Sequence, residues 1–132
     1  MEQWERWVPR DDIPQRIYLQ SFVDDENWIT IRFTSDDPKK KVIVHFDGYV
    51  QSYRNTDEGS LIKTWEFLND HYGVDFYGRW PFFKVKGSEY LDWFIKQSSG
   101  IYDPEEVEHY VFKTPNDIVE VLSTFEPDVI IE

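Results

Sequence analysis

The sequence predicts an α+β domain: an antiparallel sheet that begins with a four-stranded meander over about residues 16–54 and carries two or three helices on one face. Strand-like alternation of apolar and polar residues is concentrated in the first half of the chain, whereas the second half mixes helical spacing with short strand-like runs. Strands that come first, followed by helices interleaved with single strands, are typical of α+β domains. No repeat or linker divides the 132 residues, so we expect a single domain over 1–132.

Three alternating runs and one turn signal predict the meander. Each run follows the period of two that a half-buried strand requires, and polar turns separate the runs. The dipeptide Asp47-Gly48 then predicts a tight hairpin turn, because both central positions of a type I′ turn need positive φ. A fourth strand is expected over 49–54. The three runs are 17–22, 28–33 and 42–46, and their turns are 24–27 and 35–38.

Three segments of the second half are expected to be helical. The first is capped by Thr56 or Asp57 and is followed by Gly73, which suits the left-handed position beyond a helix end. Ser88 is the expected N-cap of the second helix, and the capping-box-like segment 114–117 begins the third. Apolar residues at helical spacing mark these segments at 61–72, 90–95 and 118–122.

Short strands and one helical turn fill the rest of the second half. Asp103-Pro104 places a capping side chain before a proline at the first helical position, so at least one turn begins there. Apolar and β-branched residues mark the expected strands at 82–85, 110–113 and 129–131.

Composition excludes several classes of function. With 26 acids, 14 bases and a net charge of -12, the chain repels nucleic-acid backbones and anionic membrane surfaces, so we expect neither as a partner. It has no cysteine, which excludes disulfides and thiolate metal sites. No secretory leader or membrane-spanning stretch is visible, so the expected location is the cytoplasm.

The negative charge is unevenly distributed along the chain. Residues 1–99 carry 17 acids and 13 bases, whereas residues 100–132 carry nine acids and one base. If that last quarter shares one face, it forms a negative surface that steers a basic partner. The alternative is a solvated face that only aids solubility. The candidate partner-binding acids are Asp103, Glu105, Glu106 and Glu108.

The segment 72–83 is the second candidate surface, because six of its twelve residues are aromatic. Two glycines and a proline mark part of it as a loop, and aromatic residues and arginine often anchor protein interfaces. Tyr77, Arg79 and Trp80 are the members expected to face outward. The alternative is that these rings fold inward and extend the core.

No motif predicts catalysis, a cofactor or a metal. The chain lacks a phosphate-binding glycine loop, a His-Glu-x-x-His sequence and a Gly-x-Ser-x-Gly sequence. Its three histidines, His45, His71 and His109, are far apart in sequence, and none has a second histidine or a carboxylate at metal-ligand spacing on a helix. We therefore expect a protein that is not an enzyme and holds no cofactor or metal.

Several short stretches resemble a family of small acidic proteins from Gram-positive bacteria. They are SYRNTDEG at 52–59, FKVKGSEYLDWF at 83–94, HYVFKTPND at 109–117, VEVLS at 119–123 and FEP at 125–127. Such proteins are similar to the immunity proteins found beside polymorphic or contact-dependent toxins. The resemblance implies binding to a cognate toxin, and no set of catalytic or cofactor-binding residues comes with it.

The leading hypothesis is a cytosolic protein-binding module, an immunity protein that neutralises a cognate toxin through acidic and aromatic contacts. A basic, nuclease-type toxin fits the acid excess. The alternative is a small ligand-binding domain or enzyme with an aromatic pocket, walled by residues such as Trp65 or Trp80. A ring-lined cavity holding a His–carboxylate pair favours that alternative. A structural subunit of a larger assembly is the third hypothesis, and the oligomeric state stays open.

Overall fold

The computed structural model, which describes residues 1–132, confirms the α+β class and contains two antiparallel sheets rather than one. One sheet has five strands in the order β1-β6-β7-β8-β5, and the other has four in the order β2-β3-β4-β9. Single 3₁₀ turns lie at Glu58–Ser60 and Pro104–Glu106. The strands are β1 (Gln3–Arg6), β2 (Ile17–Asp24), β3 (Ile29–Ser35), β4 (Val42–Phe46), β5 (Ser52–Asp57), β6 (Phe82–Lys86), β7 (Glu108–Lys113), β8 (Asp117–Ser123) and β9 (Asp128–Ile131). The helices are α1 (Ile62–His71), α2 (Val74–Gly78) and α3 (Glu89–Gln97).

The two sheets and the helices form three layers. The largest apolar cluster lies between the sheets, where Phe33 of the four-stranded sheet packs against Phe82 and Phe112 of the five-stranded sheet. The opposite face of the five-stranded sheet is covered by α1 through Leu68 and by α3 through Tyr90. The expectation that the helices lie on one face of a sheet is therefore confirmed.

The predicted four-stranded meander is wrong in its last strand. After β4 the chain leaves the four-stranded sheet, and β5 pairs with β8 in the other sheet. The place beside β4 is taken by β9, whose Val129 and Ile131 pack against the inter-sheet core. Asp47-Gly48 therefore forms a crossover rather than a hairpin. A Cβ atom on Gly48 would lie 3.0 Å from the Phe125 ring, so glycine lets the crossover pass close to it.

The predicted third helix is also wrong, because residues 117–123 form strand β8. A short apolar run cannot be assigned to a helix or a strand by periodicity alone, and β-branched residues such as Ile118 and Val119 favour the strand. β8 is buried on both of its faces. The Thr114 hydroxyl accepts the backbone N–H of Asn116 and of Asp117, and these bonds stabilise the hairpin turn between β7 and β8.

The remaining boundaries agree with the sequence more closely. Asp57 caps the 3₁₀ turn that precedes α1, and Gly73 follows α1 with a φ of 85°. Ser88 caps α3 through the Leu91 N–H, as expected. Two elements were not anticipated: the N-terminal strand β1, and the short helix α2 in the segment read as a loop.

Burial of Tyr110 makes stability sensitive to alkaline pH. Its side chain lies in the inter-sheet core, where burial and the charges of Glu108 and Glu126 raise the pKa of the phenol above its ordinary value of about 10. The unfolded phenol ionises first, so unfolding releases a proton and stability falls as the pH rises above about 10. Urea midpoints between pH 9 and 11 test this. Tyr110→Phe is expected to flatten the decline, and an unchanged slope would contradict it.

Candidate functional site

The three predicted aromatic-segment residues have different surroundings. The Tyr77 hydroxyl donates to Asn69 Oδ1 at 2.6 Å, and its ring packs in the cluster under α1. Arg79 is exposed and lies 3.5 Å from the Asp75 carboxylate. Trp80 is half-buried, packs against two apolar clusters and donates its indole N–H to the Trp7 carbonyl at 2.9 Å. The expectation that Trp80 faces outward is therefore wrong, and of the three residues only Arg79 is largely exposed.

Trp80→Ala is expected to lower the free energy of unfolding by about 2 kcal/mol, because it removes packing from both clusters and one hydrogen bond. Urea denaturation followed by circular dichroism measures the loss. The matched control is Trp93→Ala, since Trp93 is 53 % exposed and its removal is expected to cost less than about 1 kcal/mol. Equal losses in the two variants would show that Trp80 is not a core residue.

The predicted acidic residues form a separate group at the beginning of β7 and in the 3₁₀ turn before it. Asp103 caps the 3₁₀ turn by accepting the Glu105 N–H, and Glu105 and Glu106 are exposed. Glu108 accepts a hydrogen bond from Lys86 at 3.0 Å. At the other end of the same strand, Lys113 lies over the Tyr77 ring. Six residues of strand separate the two groups by about 17 Å, so the structure does not bring the candidate acids and aromatics together.

The acids of the last quarter do not share one face. Asp117 begins β8 at the end of the sheet opposite the 3₁₀ turn at Pro104–Glu106. Glu120 is buried under the helical layer, and Glu126 accepts the indole N–H of Trp7 at 3.2 Å. Asp128 lies in the other sheet, beside His45. The excess charge of this quarter is thus dispersed around the molecule.

The largest concavity lies elsewhere, between the β2–β3 turn and the crossover from β4 to β5. This acidic groove has a volume of about 610 Å³ and contains no lysine or arginine in its lining. Half of its lining residues are apolar or aromatic. Its lining includes Asp24, Glu26, Trp28, Tyr49, Gln51 and Tyr53.

Of the two carboxylates of the groove, Asp24 is held by the local fold and Glu26 is not. Asp24 Oδ1 accepts the Glu26 N–H at 3.1 Å, which stabilises the β2–β3 turn, and Asp24 Oδ2 accepts the Tyr53 hydroxyl at 2.9 Å. The hydrogen bond to Asp24, burial and the Asp24 charge raise the pKa of Tyr53, so this hydroxyl remains a donor. Glu26 has a φ of 56°, is exposed and makes no ion pair. Its charge is therefore uncompensated within the chain.

Three aromatic rings border the same groove. Tyr49 is 71 % exposed and Tyr53 is 43 % exposed, so both present ring surface to solvent. Tyr53 is braced from behind by Phe22, at a centroid distance of 4.7 Å, and Trp28 packs against His45 at 5.7 Å. Carboxylates and ring faces in one concavity are the groups that recognise lysine and arginine side chains.

A second concavity, the ring cleft, lies between α1 and α3 and contains a His–carboxylate pair. Its volume is about 220 Å³. His109 Nε2 lies 2.9 Å from Glu120 Oε1, and Arg54 donates to both Glu120 oxygens at 2.6 and 3.1 Å. The Arg54 guanidinium also lies over the Tyr90 ring at 4.0 Å. The rings that line the cleft are those of Trp4, Tyr90, Trp93 and His109, and its charged residues are Arg54, Glu2, Glu89 and Glu120.

The buried polar groups of this cleft, His109 and Glu120, are engaged with each other and with their neighbours. Glu120 is an acceptor only when ionised, so His109 donates from Nε2, and the Ser88 hydroxyl lies 2.7 Å from His109 Nδ1. This chain of Ser, His and Glu resembles a hydrolase triad in composition. However, Ser88 is 1 % exposed and accepts the Leu91 N–H as the cap of α3. The arrangement does not present a nucleophile to a substrate.

The ionised state of Glu120 is stabilised by its partners. Burial raises the pKa of this carboxyl, but the hydrogen bonds from His109 and Arg54 outweigh burial and hold the pKa below its ordinary value. The network joins β5, β7 and β8 beneath α3. Its geometry is that of a structural ion network that fixes the helix on the sheet.

No protein family, curated protein or solved structure matches this chain. No helix of the structure is long and apolar enough to cross a bilayer. No cluster of three or more metal-ligating side chains is present.

Sequence reasoning missed the acidic groove because its two walls are distant in the chain. The sequence predicts a polar turn at residues 24–27 and part of a strand at residues 49–53. The crossover brings them together only after β5 joins the second sheet. The available signal is the run of three acids that ends two residues before Trp28, because it places uncompensated carboxylates close to a large ring.

Proposed function

We propose that this chain is a cytoplasmic protein-binding module of the immunity-protein kind, which neutralises a basic partner by binding it in the acidic groove. The observation that carries the proposal is the groove itself: carboxylates without a counter-ion and exposed tyrosine rings line one concavity that has no basic residue. A protruding lysine or arginine of a partner would gain charge-assisted hydrogen bonds and ring contacts there.

The charge of the whole chain supports the same proposal. A net charge of -12 attracts a basic partner over distances comparable to the Debye length and raises the association rate. The groove then supplies the short-range contacts that determine the dissociation rate. The overall net charge thus steers the partner, and the carboxylates of the groove recognise it. The other acids therefore need not share one face.

Co-expression with the product of the gene adjacent to the one that encodes this chain tests the proposal, which requires that product to be a toxin. We expect a stable complex and protection of the host cell. Tyr49→Ala should reduce protection because it removes the most exposed ring of the groove, and it should leave folding unchanged because Tyr49 makes no hydrogen bond through its side chain. The matched control is Ile101→Ala, which removes an apolar side chain that is 78 % exposed and distant from the groove lining.

Two results would contradict the proposal. Absence of both complex and protection would exclude an immunity function toward that partner. The second result is a double variant, Glu105→Gln with Glu106→Gln, that no longer protects the cell while Tyr49→Ala still protects it fully. This outcome would assign binding to the 103–108 segment instead. That segment is the less favourable surface, since Lys86 already neutralises Glu108 there.

The alternative of a ligand-binding domain or enzyme has weaker support. The ring cleft contains the His–carboxylate pair that such a function requires, but His109 and Glu120 are only 2 % and 5 % exposed. His109 binds Glu120 and Ser88, and Glu120 also binds Arg54. Neither Trp65 nor Trp80 lines this cleft. A general base needs an unengaged atom within reach of a substrate, and this network has none.

A further inference from the structure

Strand β5 is an open edge of the five-stranded sheet. Its single neighbour is β8, and the six-residue pairing with β8 runs without a register shift. No hydrogen bond outside this ladder involves the backbone of residues 52–57. Along a strand, successive residues direct their N–H and C=O groups alternately toward one neighbouring strand and toward the other. The edge of β5 that faces away from β8 therefore presents a row of unpaired N–H and C=O groups.

The other three edge strands carry features that discourage pairing. The Trp4 N–H of β1 donates to the Tyr72 hydroxyl, so part of this edge is covered. β2 contains a register shift between Leu19 and Ser21, and β9 has four residues and directly follows Pro127. Bulges, prolines, short length and covering side chains are four of the means by which sheet edges are protected. β5 has none of them.

The side chains of β5 leave it accessible as well. The strand contains no proline, glycine or lysine. Its one arginine, Arg54, is turned onto the sheet face, where Glu120 and the Tyr90 ring hold it. The charged group that would repel an incoming basic strand is therefore neutralised within the chain.

Two hollows flank the beginning of β5, one on each face of its sheet. The acidic groove lies on the side of the four-stranded sheet, where Tyr53 points. The second hollow, of about 320 Å³, lies beside α3 and includes Tyr90 and Trp93. Both hollows are lined by Ser52 and Tyr53. Side chains of an added strand alternate between faces and so would enter the two hollows in turn.

We infer that an extended segment of the basic partner pairs with β5 as a sixth strand of this sheet. Its basic side chains enter the acidic groove, and its alternate, apolar side chains enter the hollow beside Trp93. This inference rests on the proposed function, since it names how the partner occupies the groove. The backbone of β5 supplies affinity, and the two hollows supply specificity for a basic–apolar alternation.

The test uses the full chain and a nine-residue peptide with alternating Lys and Val. We expect binding with protection of the amides of residues 52–57 from hydrogen exchange. A peptide of the same composition with its lysines and valines in separate blocks keeps the charge and loses the alternation, so it should bind at least tenfold more weakly. Equal binding of the two peptides, or no binding of the alternating one, would overturn the inference.

Backbone methylation separates strand addition from simple charge attraction. In one version of the alternating peptide the odd residues carry N-methyl groups, and in the other the even residues do. Each version therefore lacks the backbone N–H donors along one edge of the peptide strand. Only one edge faces β5, and we expect one version to lose binding at least tenfold while the other retains it. Equal retention would overturn strand addition. The co-expression result tests the proposed function separately, because partner binding without protection of residues 52–57 leaves that function standing.

Discussion

Glu26→Lys is expected to weaken the complex with the proposed basic partner about 30- to 100-fold. The substitution removes an uncompensated carboxylate from the acidic groove and places an ammonium group against the partner's own cation. Juxtaposed like charges at an interface cost several kcal/mol, and about 2–3 kcal/mol corresponds to this loss. Glu26 is exposed and makes no ion pair, so the fold should be unaffected. Surface plasmon resonance at several salt concentrations measures both rate constants.

Glu105→Lys is the matched control, because it makes the same change of net charge at an exposed glutamate outside the groove. We expect it to lower the association rate slightly through the reduced overall charge and to leave the dissociation rate unchanged. The two variants should therefore differ mainly in dissociation. Equal effects of both substitutions would mean that only overall charge matters and that the groove has no special role.

Glu120→Ala is expected to lower the free energy of unfolding by about 2–4 kcal/mol. It leaves the buried His109 without its acceptor and the guanidinium of Arg54 without its carboxylate, and breaking a buried pair by removing one partner is strongly destabilising. The value lies below that of a fully buried pair because the Arg54 side chain is 49 % exposed and solvent compensates part of its charge. Urea denaturation at neutral pH measures the loss.

Glu108→Ala is the control for this substitution, since Glu108 is also a β-strand glutamate paired with a basic side chain. Its partner Lys86 is largely exposed, so we expect a loss below about 1 kcal/mol. The pH dependence differs too. The pKa of the Glu120 carboxyl is lower in the folded than in the unfolded state. The ionised carboxylate therefore contributes stability at pH values above its unfolded pKa of about 4.3, and this stability is lost as the pH falls through its folded pKa. Glu120→Ala should lack this acid-dependent loss, and a wild-type-like acid profile would contradict the assignment.

Local signals in the sequence located most of the elements. Ser88 and Gly73 mark helix boundaries through backbone requirements that act within one turn, and the structure places both where expected. The errors are long-range. Whether the strand after β4 pairs with β4 or with β8 depends on where β9 lies, about 80 residues later. The apolar spacing of the run at 118–122 fits a helix as well as a strand, and its β-branched residues and its burial on both faces are what favour the strand.

The candidate surface was less predictable than the fold. Exposure of Arg79, Glu105 and Glu106 agrees with their assignment as surface residues, but Trp80 is packed between two clusters. Whether an aromatic side chain points inward or outward depends on the residues that pack against it in the tertiary structure. Its neighbours in the sequence do not specify those residues. For the same reason the acid excess appeared as one block along the chain while it is dispersed in space. The groove became visible only when the crossover placed Tyr49 beside Asp24.

Amide hydrogen exchange of this chain, alone and with the proposed basic partner, tests the central claim most directly. The account predicts slowed exchange at residues 24–29 and 48–53, which form the two walls of the acidic groove. It also predicts unchanged exchange around the 3₁₀ turn at Pro104–Glu106 and at α2. Slowed exchange at the 3₁₀ turn and at α2, with unchanged exchange at both walls of the groove, would contradict the account.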